Sequence, residues 1–199
     1  MEENLQPNIL EAGEQHYEKQ LIEKAQAGDL EAFSALVRTY QERMVHVAYS
    51  FLRNFEDARD VAQEAFVKAY QAMGQFKGKS RFSTWLYRIL VNLCKDHLRK
   101  KKNKFEAAEL ESEPPAQNPG ALKGLMNREL GETIYREIGN LPFSQRSVFT
   151  LRYLEGLSLE EIAKTLELSV GAVKANLWQA GQKMKKGLQD YAPFREVVP

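Results

Sequence analysis

Between Pro7 and Pro114 the chain contains no proline. Proline removes a backbone donor and clashes with the preceding turn, so its absence over so long a stretch leaves helices free to run. Strand-like alternation is missing there too, and apolar residues recur at spacings of three and four. Phe33, Leu36, Val37, Tyr40, Met44, Val47, Ala48 and Phe51 form one stripe, introduced by Gly28-Asp29, a stop followed by an N-cap candidate. Residues 54–57 read as a short turn. Ala58, Val61, Ala62, Ala65, Ala69 and Met73 form a second stripe closed by Gly74, and Leu86, Ile89, Leu90, Leu93 and His97 a third after Ser83. Three or four helices around one core, joined by short loops, is the economical fold.

The pattern then breaks. Glu113-Pro114-Pro115 and Asn118-Pro119-Gly120 cannot continue a helix, and Glu106, Glu109, Glu111 and Glu113 make the approach acidic. This segment reads as a linker between two modules. Beyond it Ile134, Ile138 and Leu141 end another helical stripe before Pro142. Residues 148–153 could be taken for a strand, but the period of Val148, Leu151 and Leu154 favours a helix. The expected fold is all-α: two small helical domains joined by a flexible linker.

With 43% hydrophobic and 28% charged residues the composition is globular. A single cysteine, Cys94, permits no internal disulfide, and three histidines supply no zinc-site spacing, so neither a metal nor another cofactor is expected. Cys94 adjoins Leu93 on a buried-looking stripe with nothing to lower its pKa, so it reads as core rather than redox sensor. No basic, apolar leader opens the sequence and no run reaches the ~18–20 apolar residues of a membrane helix, which predicts a cytoplasmic chain without membrane insertion.

In the second module Ser158-Leu159-Glu160-Glu161 has the spacing of a capping box, in which serine and glutamate satisfy each other's backbone amides. A short helix carrying Ile162, Ala163 and Leu166 follows. Glu167-Leu168 makes a turn, and Ser169 is placed to cap a second helix from Val170. Val170, Val173, Leu177, Ala180, Met184 and Leu188 share one face of that helix. Gly171, Ala172, Lys174, Ala175, Trp178, Gln179, Gln182 and Lys186 share the other. This is the arrangement of a DNA-reading helix-turn-helix, with small residues for close approach and amides or lysines to donate to base edges. No acid occurs from Leu168 to Gln189. A plain helical hairpin with a solvated lysine face is the bland alternative.

Charge is distributed unevenly in the first module. Overall, 28 basic residues face 27 acidic ones, yet residues 77–104 hold ten basic residues against the lone Asp96, a local net of +9. Phe76, Phe82, Trp85 and Tyr87 are interleaved. Basic grooves with aromatics suit single-stranded nucleic acid, where each base stack contributes roughly 1–3 kcal/mol. Trp85 adjoins Leu86 and Ile89 and reads as core, whereas the loop 77–81 has no apolar pattern and reads as a phosphate or base contact. Upstream, Glu56, Asp57, Asp60 and Glu64 make an acidic helix edge. On spacing alone this is either a protein-docking surface or a solvated face.

These features together resemble the extracytoplasmic-function (group IV) sigma factors of bacterial RNA polymerase, within the sigma-70 family. Residues 57–66, Asp-Ala-Arg-Asp-Val-Ala-Gln-Glu-Ala-Phe, are similar to the family's region 2.2. Residues 82–92, Phe-Ser-Thr-Trp-Leu-Tyr-Arg-Ile-Leu-Val-Asn, with Asp96 and Arg99 at the family spacing, are similar to regions 2.3 and 2.4. Leu141-Pro142, Gln145-Arg146, Phe149 and residues 154–163 are similar to regions 4.1 and 4.2.

The resemblance implies an N-terminal extension (1–20), region 2 (21–102), an acidic, proline-rich linker (103–127), region 4 (128–188) and a C-terminal tail (189–199). Asp57, Asp60, Val61, Gln63, Glu64 and Val67 would dock on the β′ clamp helices of core polymerase. Phe76, Lys77, Lys79, Ser80, Arg81, Phe82, Arg88, Asn92, Lys95 and Arg99 would bind and hold open the single-stranded −10 element, with one base flipped into a pocket of that loop. Ser169, Gly171, Ala172, Lys174, Ala175, Trp178, Gln179 and Gln182 would read the −35 element. The β flap and an anti-sigma protein are further implied partners.

Two departures stand out. Glu167 occupies a turn position where the family usually has glycine, so left-handed geometry there is strained or absent. Ala172, Ala175, Asn176, Gln179 and Gly181 stand where threonine, serine and arginine are common, which removes phosphate and guanine contacts.

A stand-alone helix-turn-helix regulator with a sensing or dimerising first module is the alternative, but it leaves the +9 segment unexplained. A nucleic-acid enzyme would need a carboxylate cluster, metal set or activated nucleophile, and the sequence offers none.

Overall fold

The computed structural model describes residues 9–107 and 125–188. Both tails and most of the acidic linker lie outside the described residues, as does their expected role. Among the described residues the secondary structure is entirely helical.

The first module holds α1 (Ile9–Gln26), α2 (Leu30–Leu52), α3 (Phe55–Gln71), a 3-10 turn (Met73–Gln75) and α4 (Phe82–Ala107). Local chemistry sets the boundaries. Gly28 takes φ +94, and Asp29 then caps α2, its Oδ1 accepting from the Ala32 amide at 3.1 Å. Asn54, expected in a turn, caps α3 in the same way, accepting from Asp57 N at 3.0 Å. α4 runs on to Ala107, beyond the basic residues and into the segment read as linker. Nothing up to Ala107 breaks a helix, and the prolines come later.

All three sequence stripes face inward. Met44, Val47, Ala48, Ala58, Ala65, Ala69, Leu86, Leu90 and Cys94 are fully buried. Alanines along α3 let it lie close against α2 and α4, so larger side chains fill the space around it.

The second module holds α5 (Leu125–Asn140), α6 (Phe143–Phe149), a π-helical turn (Thr150–Leu154), α7 (Leu159–Leu166) and α8 (Val170–Gly187). The helix expected across residues 146–154 is thus present but widens after Phe149. In the widened turn Glu155 N donates to the Thr150 carbonyl at 3.3 Å. The capping box forms as read: Glu161 N donates to Ser158 Oγ at 3.2 Å, and Ser158 N to Glu161 Oε2 at 2.9 Å. Ser169 Oγ accepts from Ala172 N at 3.1 Å and starts α8.

The two modules do not hang apart on a tether; they share a core. Val148, Leu151, Leu157, Ile162, Ala163 and Val173 belong to the same apolar cluster as the first module's interior. A smaller cluster of Ile138, Leu141, Phe149, Ala180, Met184 and Leu188 is the second module's own. At the junction the Tyr49 and Tyr135 rings lie 5.2 Å apart, as do those of Phe51 and Phe143. Ser50 Oγ and Thr150 Oγ1 hydrogen-bond at 3.1 Å, both fully buried. Arg146 clasps the joint: Nη1 donates to the Phe51 carbonyl at 2.6 Å, and Nη2 to the carbonyls of Gly139 and, at 3.0 Å, Leu141.

Candidate functional site

Arg88, Asn92, Lys95 and Arg99 follow one another at steps of four, three and four along α4, so one face carries them all. Each is exposed. The loop before α4 continues this face: Lys77, Lys79 and Arg81 are exposed, Ser80 is half-buried, and Gly78 turns the chain at φ +66. Phe76 and Phe82, expected among the nucleic-acid contacts, are only 8% and 2% exposed. They pack on each other edge-on at 5.7 Å, and each also lies against Trp85. Their rings form the floor under the loop rather than a free stacking platform.

Three of these cations are already engaged: Arg99 Nη2 lies 3.0 Å from Asp96 Oδ1 on its own helix, and two others meet the second module. Arg81 Nε lies 3.3 Å from Glu161 Oε1, and Arg88 pairs with Glu167. Both glutamates belong to the helix-turn-helix of the second module, so acids at the edge of that module sit on arginines of the first. Burial opposes ionisation of Glu161, but its hydrogen bonds with Ser158 and the Arg81 and Lys164 charges outweigh that and lower its pKa. Beneath these pairs Tyr87 donates to Glu155, a carboxyl whose pKa burial raises despite that bond. The sequence marked neither Glu155 nor Glu161 as a partner of α4, because 68 and 80 residues separate them from Tyr87 and Arg81.

On α8, Ser169, Gly171, Lys174, Ala175, Trp178, Gln179 and Gln182 are exposed and Ala172 is half-buried, all on the face opposite Val173, Ala180 and Met184. Trp178 is 66% exposed. Gln179 Oε1 accepts from Gln145 Nε2 at 2.7 Å, so α6 steadies one of the side chains on this face. Glu167 does adopt left-handed geometry, φ 55 and ψ 44, at the turn between the two helices. A side chain there costs about 1–2 kcal/mol that glycine would not.

The acidic edge of α3 divides. Asp60, Gln63, Glu64 and Val67 are exposed, and Glu64 pairs with Lys68 at 3.2 Å. Val61 is 4% exposed and belongs to the core. Asp57 turns toward α4, where Oδ2 meets His97 Nε2 at 3.4 Å and Lys101 Nζ at 3.3 Å. Beside the exposed edge runs a groove of about 510 Å3 between α2 and α3, lined by Val37, Gln41, Val45, His46, Phe55, Arg59, Gln63 and Phe66 among others. Of these only Gln63 stood out in the sequence as a docking residue; Val37 lay in a stripe read as core, and Gln41, Val45 and His46 fell outside every pattern.

Cys94 is fully buried and burial pushes its thiol up to about 12, which leaves it a packing residue. Among the described residues no group of histidine, cysteine or carboxylate side chains could hold a metal.

Two family models match the chain in order: Sigma-70 region 2 over residues 36–104 and Sigma-70 region 4 over residues 131–184. The chain is 38% identical to RNA polymerase sigma-H factor of Pseudomonas aeruginosa, with 88% of this chain and 95% of the relative covered. It is 37% identical to the ECF RNA polymerase sigma-E factor of Escherichia coli, covering 88% and 96%. The chain belongs to the extracytoplasmic-function sigma factors of the sigma-70 family. The same fold recurs in CnrH, solved in complex with the cytosolic domain of CnrY. That match has a TM-score of 0.67, 27% identity, and coverage of 88% of this chain and 99% of that one. RpoE of Bartonella quintana, solved with the anti-sigma factor NepR, shares the fold at TM-score 0.68 and 21% identity.

For this sigma factor the family matches begin at residue 36, so α1 lies before the region 2 model altogether. Yet α1 is tied into the candidate site: Gln26 Nε2 donates to the carbonyls of Met73 and Phe76, at 3.2 and 2.6 Å, beside the basic loop.

Proposed function

We propose that this sigma factor docks on core RNA polymerase through Asp60, Gln63, Glu64 and Val67 of α3 together with the adjoining α2–α3 groove. The loop 77–81 and the α4 face of Arg88, Asn92, Lys95 and Arg99 then hold the −10 element open, while α8 reads the −35 element in the major groove. The polymerase supplies the chemistry. The relatives are sigma factors, which are not enzymes, and this chain contributes promoter choice and strand separation. Cytoplasmic residence follows from that role; among the described residues no helix is long and apolar enough to cross a membrane.

The observation that carries this reading is the α4 face. Four polar or cationic side chains aligned along about three turns, continuous with a cationic loop, make a track for one phosphate backbone. A stand-alone regulator has no use for such a track in its sensing module.

The closed arrangement has a mechanical consequence. The −10 and −35 elements are centred roughly 25 base pairs apart, about 85 Å along a duplex at 3.4 Å per step. Arg88 and Glu167 touch, and Glu167 stands three residues before α8. The modules must therefore part before both elements can be read, exchanging Glu161 and Glu167 for DNA phosphates on Arg81 and Arg88. An anti-sigma protein would act by holding them together; CnrH, its relative, is found bound to the cytosolic domain of CnrY.

Run-off transcription with purified core polymerase, with and without the full chain, on a genomic promoter library tests the function. Transcripts that start only when the chain is added are expected. Failure to bind core polymerase, combined with tight unaided binding to a palindromic duplex, overturns it in favour of the stand-alone regulator.

A further inference from the structure

Closing the two modules draws one carboxyl out of water. Glu155 ends the π-helical turn, between Leu151 and Leu157, and both leucines are buried in the apolar cluster shared with the first module. Those neighbours carry Glu155 into the joint. It is half-buried there, and its Oε2 accepts from the Tyr87 hydroxyl of α4, a side chain only 1% exposed. That bond spans the two modules. Once they part, Glu155 stands in solvent as an ordinary carboxylic acid.

Few groups face it in the closed arrangement. Tyr87 comes from α4 and Tyr135 from α5, and burial together with the neighbouring carboxylate keeps both phenols protonated. On α2, Arg43 supplies a positive charge that favours ionisation, while Tyr40 is bonded to Glu18. Arg146 of α6 is turned to backbone carbonyls. On α7, Glu161 is engaged by Arg81 and Ser158, with the Lys164 charge acting on it as well. Loss of water outweighs the Tyr87 bond and the Arg43 charge together, so closure holds the Glu155 carboxyl above its ordinary pKa.

We propose that Glu155 is a proton-linked latch on the joint: closing takes up a proton from water as the pH falls, and at neutral pH the half-buried charge keeps the modules easy to part. The carboxyl binds its proton more tightly closed than parted. Protonation therefore strengthens closure, fully below the parted pKa, and that gain is lost as the pH rises through the closed one. Above it, closure keeps a charge from water with one hydroxyl and one guanidinium in compensation, and a neutral isostere tightens the joint. Glu161, whose pKa is lowered, acts with the opposite sign, and only below the ordinary carboxylate range. The proposal rests on the reading that the modules part to reach the promoter, and names the residue that sets how readily they do so.

The test follows opening of the full chain in solution through alkylation of one thiol at the joint. Ser50→Cys places it at a fully buried position facing Thr150, and Cys94→Ala removes the native thiol. Dividing each rate by that of a free cysteine peptide at the same pH removes the thiol's own titration. In this parent, labelling should slow severalfold from about pH 8 to about pH 5. At neutral pH Glu155→Gln should label severalfold more slowly than the parent and lose that pH dependence. Tyr87→Phe deletes the donor and leaves the carboxylate, and should label severalfold faster. Run-off transcription at limiting core polymerase should follow the same order, Tyr87→Phe above the parent and Glu155→Gln below it. Equal or faster labelling in Glu155→Gln overturns the proposal, as does a pH dependence which that variant leaves unchanged. Should Glu155→Gln not fold, Tyr87→Phe decides alone, and a rate at or below the parent's overturns the latch. A parent that starts no transcript overturns the functional reading, while the labelling rates judge the latch without polymerase.

Discussion

The two modules solve the problem of a helical core differently. The first has long helices, and its own side chains supply most of its interior: Leu36, Met44, Ala65, Leu86 and Leu90 meet around α2 and α4. The second has short helices and two half-cores. α5, α6 and α8 enclose the small cluster around Met184, while the inner faces of α7 and the π-helical turn rest on the first module. Closing therefore completes the second module as well as masking the arginines. Any partner that parts the modules must offset exposed apolar surface, at about 25 cal/mol per Å2, in addition to a few weak surface ion pairs.

The strongest way to break this comparison is to forbid parting. In the double variant Ser50→Cys with Thr150→Cys, two buried side chains whose oxygens lie 3.1 Å apart become thiols placed to cross-link. Under oxidising conditions the chain should lose promoter-dependent run-off transcription and regain it with reductant. Persistent activity in the fully cross-linked protein would show that both elements can be read without separation.

A smaller effect separates the two cores. Leu90→Ala and Met184→Ala should each cost about 2–5 kcal/mol, the range for emptying a buried leucine or methionine site. Leu90→Ala should lower amide-exchange protection throughout α2, α3 and α4. Met184→Ala should lower it mainly in α5, α6 and α8. Equal loss in both modules after either change would mean that they fold as a single unit.

The smallest effect concerns Glu167. Glu167→Gly relieves the left-handed backbone and deletes the pair with Arg88, a side chain about half exposed in that pair. Exposed pairs contribute about 0.2–1 kcal/mol. The second module should thus gain up to about 1 kcal/mol in thermal unfolding, and binding of single-stranded DNA to the isolated chain should rise less than about fivefold. A larger rise would mean that this ion pair, rather than the shared core, holds the modules closed.

What the sequence disclosed follows from how local each feature is. Helix starts at Asp29, Ser158 and Ser169 depend on side chains within three residues of their targets, so they were readable directly. The alternation of buried and exposed positions along α4 and α8 was legible for the same reason. Val61 and Phe82 show the limit of carrying roles over by resemblance: Val61 already kept the period of the inward stripe, and both side chains are buried. The α2–α3 groove was invisible because Val37 keeps the period of buried residues while lining an open surface, and its neighbours Gln41, Val45 and His46 belong to no stripe. The pairing of Arg88 with Glu167 was equally hidden, since charge counts along a chain say nothing of partners 79 residues away. The tie between α1 and the loop escaped because it runs through one amide side chain, that of Gln26, onto two carbonyls.

Arg146 carries one more lesson. Two of its three acceptors, Gly139 and Leu141, lie in its own module, and the third, Phe51, belongs to the other. When the halves come apart the guanidinium stays braced, still aimed at the seat that Phe51 has left. Re-closing the two halves therefore meets a donor already set in place, and on this side of the joint only the Phe51 carbonyl has to return.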